Sequence, residues 1–255
     1  MGLLMQGALI ALAAATLSAI GFIVISRWVP DKWLIADSEA ASVVYTTVGM
    51  VYAIIIAIAA IALWEPRGDA DQASSREAAD IAEVHWAART LPGGPEVQRL
   101  ATDYTRIVIE KEWPVLSERH ESLPEAQRAL DTLRTKVEAI QPVGEAQATS
   151  YRQARDRILD AYDARRTRIS AADEAMPALL WPVLIIGGLI SVGFLYVFGL
   201  ERTFPNAVMM ATLGGAVAVL LFLLYQMEFP YSRGLAVQPE AFETALEQMG
   251  VTGGR

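Results

Sequence analysis

Four long stretches of the chain carry no charged residue, and a charged block with helical spacing of its apolar positions separates the second from the third. The charge-free stretches are Leu3 to Ser26, Ala41 to Trp64, Ala178 to Leu200 and Ala207 to Met227. A helix needs about 20 apolar residues to cross a hydrocarbon core of about 30 Å, so each stretch predicts a membrane span. Glu201 and Arg202 close the third, and Glu228 closes the fourth. Buried helices of soluble proteins rarely avoid charge over such lengths, which disfavours that alternative. The first stretch lacks the Lys or Arg of a signal-peptide n-region and exceeds its usual apolar run of about 7–15 residues, so it is expected to be a retained helix. Trp28 and Trp33 follow span one, Trp64 ends span two and Trp181 lies near the start of span three. Indole rings favour the headgroup level, so these positions mark membrane boundaries.

The pattern predicts an all-α protein: four transmembrane helices with a helical cytoplasmic domain inserted between helices two and three. Residues 1–64 hold spans one and two, 65–176 the soluble helical domain, 177–227 spans three and four, and 228–255 a C-terminal tail. Within the domain, one helix is expected from Asp69 to Leu91, where Pro92-Gly93-Gly94-Pro95 breaks it. A second runs from Glu96 to Arg119 on Val97, Leu100, Tyr104, Ile107 and Val108. A third uses Leu130, Leu133, Val137 and Ile140 and stops at Pro142 to Gly144. The fourth, from Tyr151 to about Ala175, carries Ile158, Tyr162 and Ile169 and is expected to run on toward span three. Pro66 and Pro177 predict a kink or unwound link at each seam.

Even parity places the N-terminus, the 65–176 domain and the tail on one side. Arg67, Arg76, Arg165, Arg166, Arg168 and Arg233 flank the spans there, against Arg27, Lys32 and Arg202 in the opposite loops. Six basic residues against three predict a cytoplasmic domain and cytoplasmic termini in a multi-pass protein of the inner (plasma) membrane.

Composition removes several classes of function. There is no Cys, which excludes disulfides and thiolate chemistry, and the two His do not make a metal cluster. A net charge of -8 argues against nucleic acid as a partner. No Ser lies in a Gly-x-Ser-x-Gly turn, and Gly93-Gly94 is flanked by prolines without a Lys, so neither hydrolase nor phosphate-loop chemistry is expected. His85 and His120 read as ordinary surface or interface residues. No enzyme activity and no cofactor are predicted. The lipid bilayer is the expected partner, together with further copies of the chain in a homo-oligomer.

Polar positions inside a span tend to face protein or water. On span two, Ser42, Tyr45, Gly49, Tyr52 and Ile56 step by three and four residues along one helix face, flanked by Thr46 and Ala53. Two readings stand: a tight seam between helices, or a pore-lining face with an apolar constriction near Ile55 or Ile56. Ala211-x-x-x-Gly215 on span four reads as a packing contact within the subunit. No span carries an ionisable Lys, Arg, Asp or Glu, which disfavours a proton-coupled pump and leaves a channel open.

Span two contains Val48-Gly49-Met50-Val51-Tyr52-Ala53 and closes with Leu63-Trp64-Glu65, followed by Arg76-Glu77-Ala78-Ala79. After span four come Glu228-Phe229-Pro230-Tyr231-Ser232-Arg233-Gly234 and Val237-Gln238-Pro239-Glu240-Ala241-Phe242. In order and spacing these segments resemble the bestrophin-like family of bacterial integral membrane proteins, from about residue 40 to 247. The resemblance implies four spans, cytosolic termini and helical cytosolic mass between spans two and three. By analogy with bestrophins it also implies a pentameric anion channel lined by the second span. The bulky neck of bestrophins has no secure counterpart here, nor has the acidic calcium clasp of animal members. Glu240, Glu243 and Glu247 instead suit the solvated face of an amphipathic helix.

The expectation is an oligomeric channel for inorganic ions, anions ahead of cations. The -5 net charge of residues 65–174, from 21 acidic and 16 basic residues, is an objection to anion selectivity. The alternative is a non-conducting scaffold or sensor whose helical domain binds a partner protein.

Overall fold

The computed structural model describes residues 2–28, 38–197 and 203–250. The described residues form nine α-helices and no strand. They are α1 (Leu3–Trp28), α2 (Ser38–Ala87), α3 (Gly94–Ile107), α4 (Trp113–Arg119), α5 (Pro124–Glu138), α6 (Gly144–Ala172), α7 (Leu180–Tyr196), α8 (Phe204–Met227) and α9 (Glu240–Gln248). The chain divides into two compact units. One holds residues 1–63 and 175–228, the other 64–174 and 229–255.

In the first unit, α1, α8 and the N-terminal half of α2 are long and apolar enough to cross a membrane. Of the predicted span Ala178 to Leu200, the helix α7 accounts for 17 residues, and residues 198–202 lie outside the described ones. Trp28 and Trp64 are exposed, as boundary indoles should be, while Trp33 falls outside the described residues. Small residues bring α1 and α8 together. A Cβ added to Gly214 would stand 2.5 Å from the Ser18 Cβ, and one on Gly215 would meet the Ala11 carbonyl oxygen at 3.3 Å. Such close backbone approach replaces the hydrophobic drive that lipid cannot supply.

A polar tie joins three of these helices. Ser18 Oγ on α1 donates to the Met210 carbonyl on α8 at 2.7 Å, and Tyr196 Oη on α7 donates to the Ser18 carbonyl at 2.9 Å. The two hydroxyls themselves are 3.0 Å apart. Hydrogen bonds between helices in lipid average about 0.6 kcal/mol, because the dissociated helices find other partners. Ser18→Ala and Tyr196→Phe are therefore each expected to cost only that order of stability. A double-mutant cycle by thermal unfolding in detergent should find the two nearly additive, because each hydroxyl spends its hydrogen on a backbone carbonyl that the other substitution leaves in place; strong coupling would instead place a hydrogen bond between the two hydroxyls.

The second unit buries a core from every helix it contains, including Ile81, Val84, Val108, Leu116, Leu130, Leu133, Ile158 and Phe242. Residues 229–249 are part of that core. Tyr231 meets Trp113 edge-to-face with ring centres 5.1 Å apart, and Trp113 Nε1 donates to the Val237 carbonyl at 3.2 Å. On α9, Phe242 and Ala245 face inward while Glu240, Glu243 and Glu247 are exposed, so the helix is amphipathic, and Met249 just after it is buried too.

Three expectations at the seams need correction or refinement. The helix does not break at Pro66: α2 continues through it to Ala87. Proline removes its own N–H bond and crowds the carbonyl four residues back, but the neighbouring turns hold good helix formers such as Ala, Leu and Arg, and Arg67 is anchored by its Nε donating to the Leu235 carbonyl at 2.7 Å. By contrast α6 stops at Ala172 and does not run on, and the chain stays non-helical ahead of Pro177, which disfavours helical backbone at Met176. The expected Glu96 to Arg119 helix is interrupted by a π-helical turn, Val108–Glu112.

Candidate functional site

The stripe on α2 resolves into two neighbouring faces. Tyr52 is 7% exposed; its hydroxyl donates to the Leu184 carbonyl on α7 at 3.0 Å. Its ring lies so close to α7 that a Cβ on Gly187 would sit 2.7 Å from it. Tyr45 stacks on Phe194, with centres 6.2 Å apart, and Ile56 packs beside the buried cluster of Ala59, Leu63, Met176, Leu184 and Leu224. In this protomer Tyr45, Tyr52 and Ile56 therefore form the seam with α7, and the paired glycines of α7 are the cradle for a tyrosine ring.

Ser42, Thr46, Gly49 and Ala53 lie on the adjoining face, about a quarter turn away. Ser42, Thr46 and Ala53 are exposed, and a Cβ on Gly49 would touch nothing within 4 Å. Met50 and Ala57 extend this open strip. Both hydroxyls are turned onto the helix itself: Ser42 Oγ donates to the Glu39 carbonyl and Thr46 Oγ1 to the Ser42 carbonyl, each at 2.8 Å. The strip thus presents hydroxyl oxygens whose hydrogens are already used, between positions with little or no side chain.

The chemistry of the second unit centres on a cluster that the hydrophobic pattern did not announce. Glu77 of α2, Tyr104 of α3, Glu112 of the π turn, and Arg165 and Arg168 of α6 meet in its core. Arg168, Glu77 and Glu112 are wholly buried and Arg165 almost so. Arg168 donates from Nε to Glu77 Oε2 at 2.6 Å and from Nη2 to Glu112 Oε2 at 2.8 Å. Arg165 clasps Glu112 with two bonds, of 2.7 Å and 2.5 Å, and its Nε donates to Gln127 at 3.1 Å. Tyr104 Oη donates to Glu77. Two cations and two anions cancel, which is what a buried cluster of this size requires. Arg168 Nη1 has no oxygen partner, but the guanidinium carbon lies 5.6 Å from the Trp113 ring centre and 5.4 Å from that of Phe242, in cation–π range.

Burial alone pushes the Glu112 carboxyl up, but the Arg165 hydrogen bonds and the charges of Arg168 and Arg165 hold it down at about 2. A carboxylate with a depressed pKa gives stability that is complete above its unfolded value near 4.3 and is lost as pH falls toward the folded value. The second unit is therefore expected to lose stability between about pH 4.5 and 2. Glu112→Gln should remove most of that acid dependence, as followed by Trp fluorescence; an unchanged acid profile would contradict the assignment.

Burial also revises two readings of the sequence. Arg165 and Arg168 cannot serve as flanking charges, so the count on the domain side falls from six to four, against Arg27 and two residues (Lys32 and Arg202) outside the described ones. His85 is not a surface residue but buried, edge-on to Trp86, with burial lowering its pKa. His120 is half-buried, stacked on Phe229 with centres 3.9 Å apart. Among the described residues no cluster of His, Asp and Glu could hold a metal ion.

The family model described as the Bestrophin-like domain matches residues 12–242 of the chain. No curated protein and no solved structure matches it.

Proposed function

The chain belongs to the bestrophin-like family, and from that premise we propose that it is an oligomeric ion channel of the membrane whose water path follows the open face of α2. The proposal includes four spans, with α7 as the short third, and places the 65–176 domain and both termini in the cytoplasm. The observation that carries it is the contrast between the two faces of α2. Tyr45, Tyr52 and Ile56 are taken up by α7, whereas Ser42, Thr46, Gly49 and Ala53 remain uncovered in the protomer. A strip of hydroxyls and small residues on an uncharged helix suits the lining of a path shared around an axis. Family analogy favours anions. A cation path is the second reading, supported by the two hydroxyls that donate inward and so offer only acceptors to the strip, and by exposed Glu39 one turn before them.

The test is ion flux from the purified chain in liposomes, with chloride and potassium gradients imposed separately. Flux under the chloride gradient alone supports an anion path, and flux under potassium alone moves the assignment to cations. No flux under either gradient, from protein of native oligomeric size, would favour the scaffold whose domain binds a partner protein.

A further inference from the structure

We propose that a groove between α1, α7 and α8 holds one hydrocarbon chain of a membrane lipid; the inference rests on these helices lying in the bilayer, but not on conduction. The groove has a volume of about 380 Å³ and is walled by Ala14, Leu17, Gly188, Leu189, Ala218 and Leu221 together with a few neighbours. This is a size typical of small-molecule sites, which run from about 300 to 1,000 Å³.

Its existence follows from the packing. Small residues hold α1 and α8 against each other, while α7 leans its glycines on Tyr52 of α2. Gly188 faces both ways, since a Cβ there would stand 2.8 Å from Tyr52 Oη and 2.9 Å from Val217 on α8. With α7 fixed to α2 on one side and tied to α1 through Tyr196 and Ser18, the space beside those small residues stays open.

The walls decide the occupant. The only lining side chains with polar atoms are Ser18 and Tyr196, and both donate their hydrogens to carbonyls, Met210 and Ser18 respectively. No donor is left for a phosphate or carboxylate headgroup. Water needs about two to four polar partners, which the groove does not offer. A helix of a second copy, about 10 Å across, is too wide to sink between α1, α7 and α8 and could only cover the groove from its rim. The rim belongs to the lipid-facing surface, because Leu17 is 70% and Leu189 68% exposed, and the α1 face that carries Leu17 continues through exposed Ile10 and Val24. A flexible acyl chain is the one component at that depth that is thin enough, apolar throughout and always present.

The full chain is reconstituted in phosphatidylcholine and phosphatidylglycerol vesicles containing a trace of a phosphatidylcholine with a diazirine at mid-chain. After photolysis, labelling should concentrate on the groove peptides around Ala14, Leu189 and Ala218 relative to the outer face at Leu9 and Leu12. Ala218→Phe, which fills the groove, should abolish that excess while leaving outer-face labelling unchanged. Ala14→Phe fills it from the opposite wall and serves if the first variant fails to fold. Labelling spread evenly over all apolar faces, or an excess that survives both variants, overturns the proposal. So does a disulfide between Leu17→Cys of one copy and Leu189→Cys of another, because the chain has no native Cys and such a bond places protein in the groove. These readouts do not depend on ion flux, so failure here and failure of the channel reading are distinguishable.

Discussion

Arg168→Leu is expected to cost about 3–5 kcal/mol, a large share of the roughly 5–15 kcal/mol that holds a domain folded, because it strands two buried carboxylates with one cation between them. The native cluster balances Glu77 and Glu112 against Arg165 and Arg168, all with 3% exposure or less. Removing Arg168 deletes the guanidinium that hydrogen-bonds to both carboxylates and leaves Arg165 as the one cation paired with them, and the cation–π contacts with Trp113 and Phe242 are lost with it. Arg168→Lys should recover little, since a single ammonium cannot fork to two carboxylates with the guanidinium's fixed geometry. The informative rescue is Glu77→Leu added to Arg168→Leu. It restores neutrality, and an apolar replacement of a buried pair is often neutral, so the double variant should be more stable than Arg168→Leu alone. The measurement is the thermal midpoint of the full chain in detergent, followed by Trp fluorescence. If Arg168→Leu melts with the wild type, the cluster contributes nothing to stability and must be kept for another reason.

Much of the fold was legible in the sequence because lipid and water impose opposite rules. A charge-free run can be read without tertiary knowledge, and α1, the first half of α2, and α8 were located within a turn. The division of α2 into a seam and an open strip was not legible, because Tyr52 and Gly49 are only about a sixth of a turn apart and only α7 decides which is covered. The ion cluster was hidden for a different reason. Charge usually marks exposure, yet Arg165 and Arg168 continue the inward stripe of Ile158 and Ala161 at steps of three and four, and Glu112 sits four residues after Val108 and four before Leu116. A pair of opposite charges on apolar stripes of different helices was the available signal. At Pro66 the unwound link did not form, because a helix of 50 residues with strong helix formers on both sides absorbs one lost backbone bond.

Gly49→Leu is expected to remove most of the ion flux while leaving the protomer at least as stable as before. A Cβ there meets nothing within 4 Å, and leaving glycine in a helix interior gains up to about 1 kcal/mol in propensity. Any loss of flux then reports on what the open strip faces rather than on folding. Gly187→Leu is the contrasting variant: its side chain collides with the Tyr52 ring, so it should lower the thermal midpoint as well as any flux. Thr46→Val keeps the shape of the strip but removes an oxygen, and it should change the ratio of chloride to potassium flux more than their sum. Leu12→Phe on the outer face of α1 should leave flux unaltered. Two results would defeat the assignment. If Gly49→Leu conducts like the wild type, the path does not pass this face. If instead it reduces the oligomer to single protomers by light scattering, the strip is a seam between subunits, and water must be sought elsewhere.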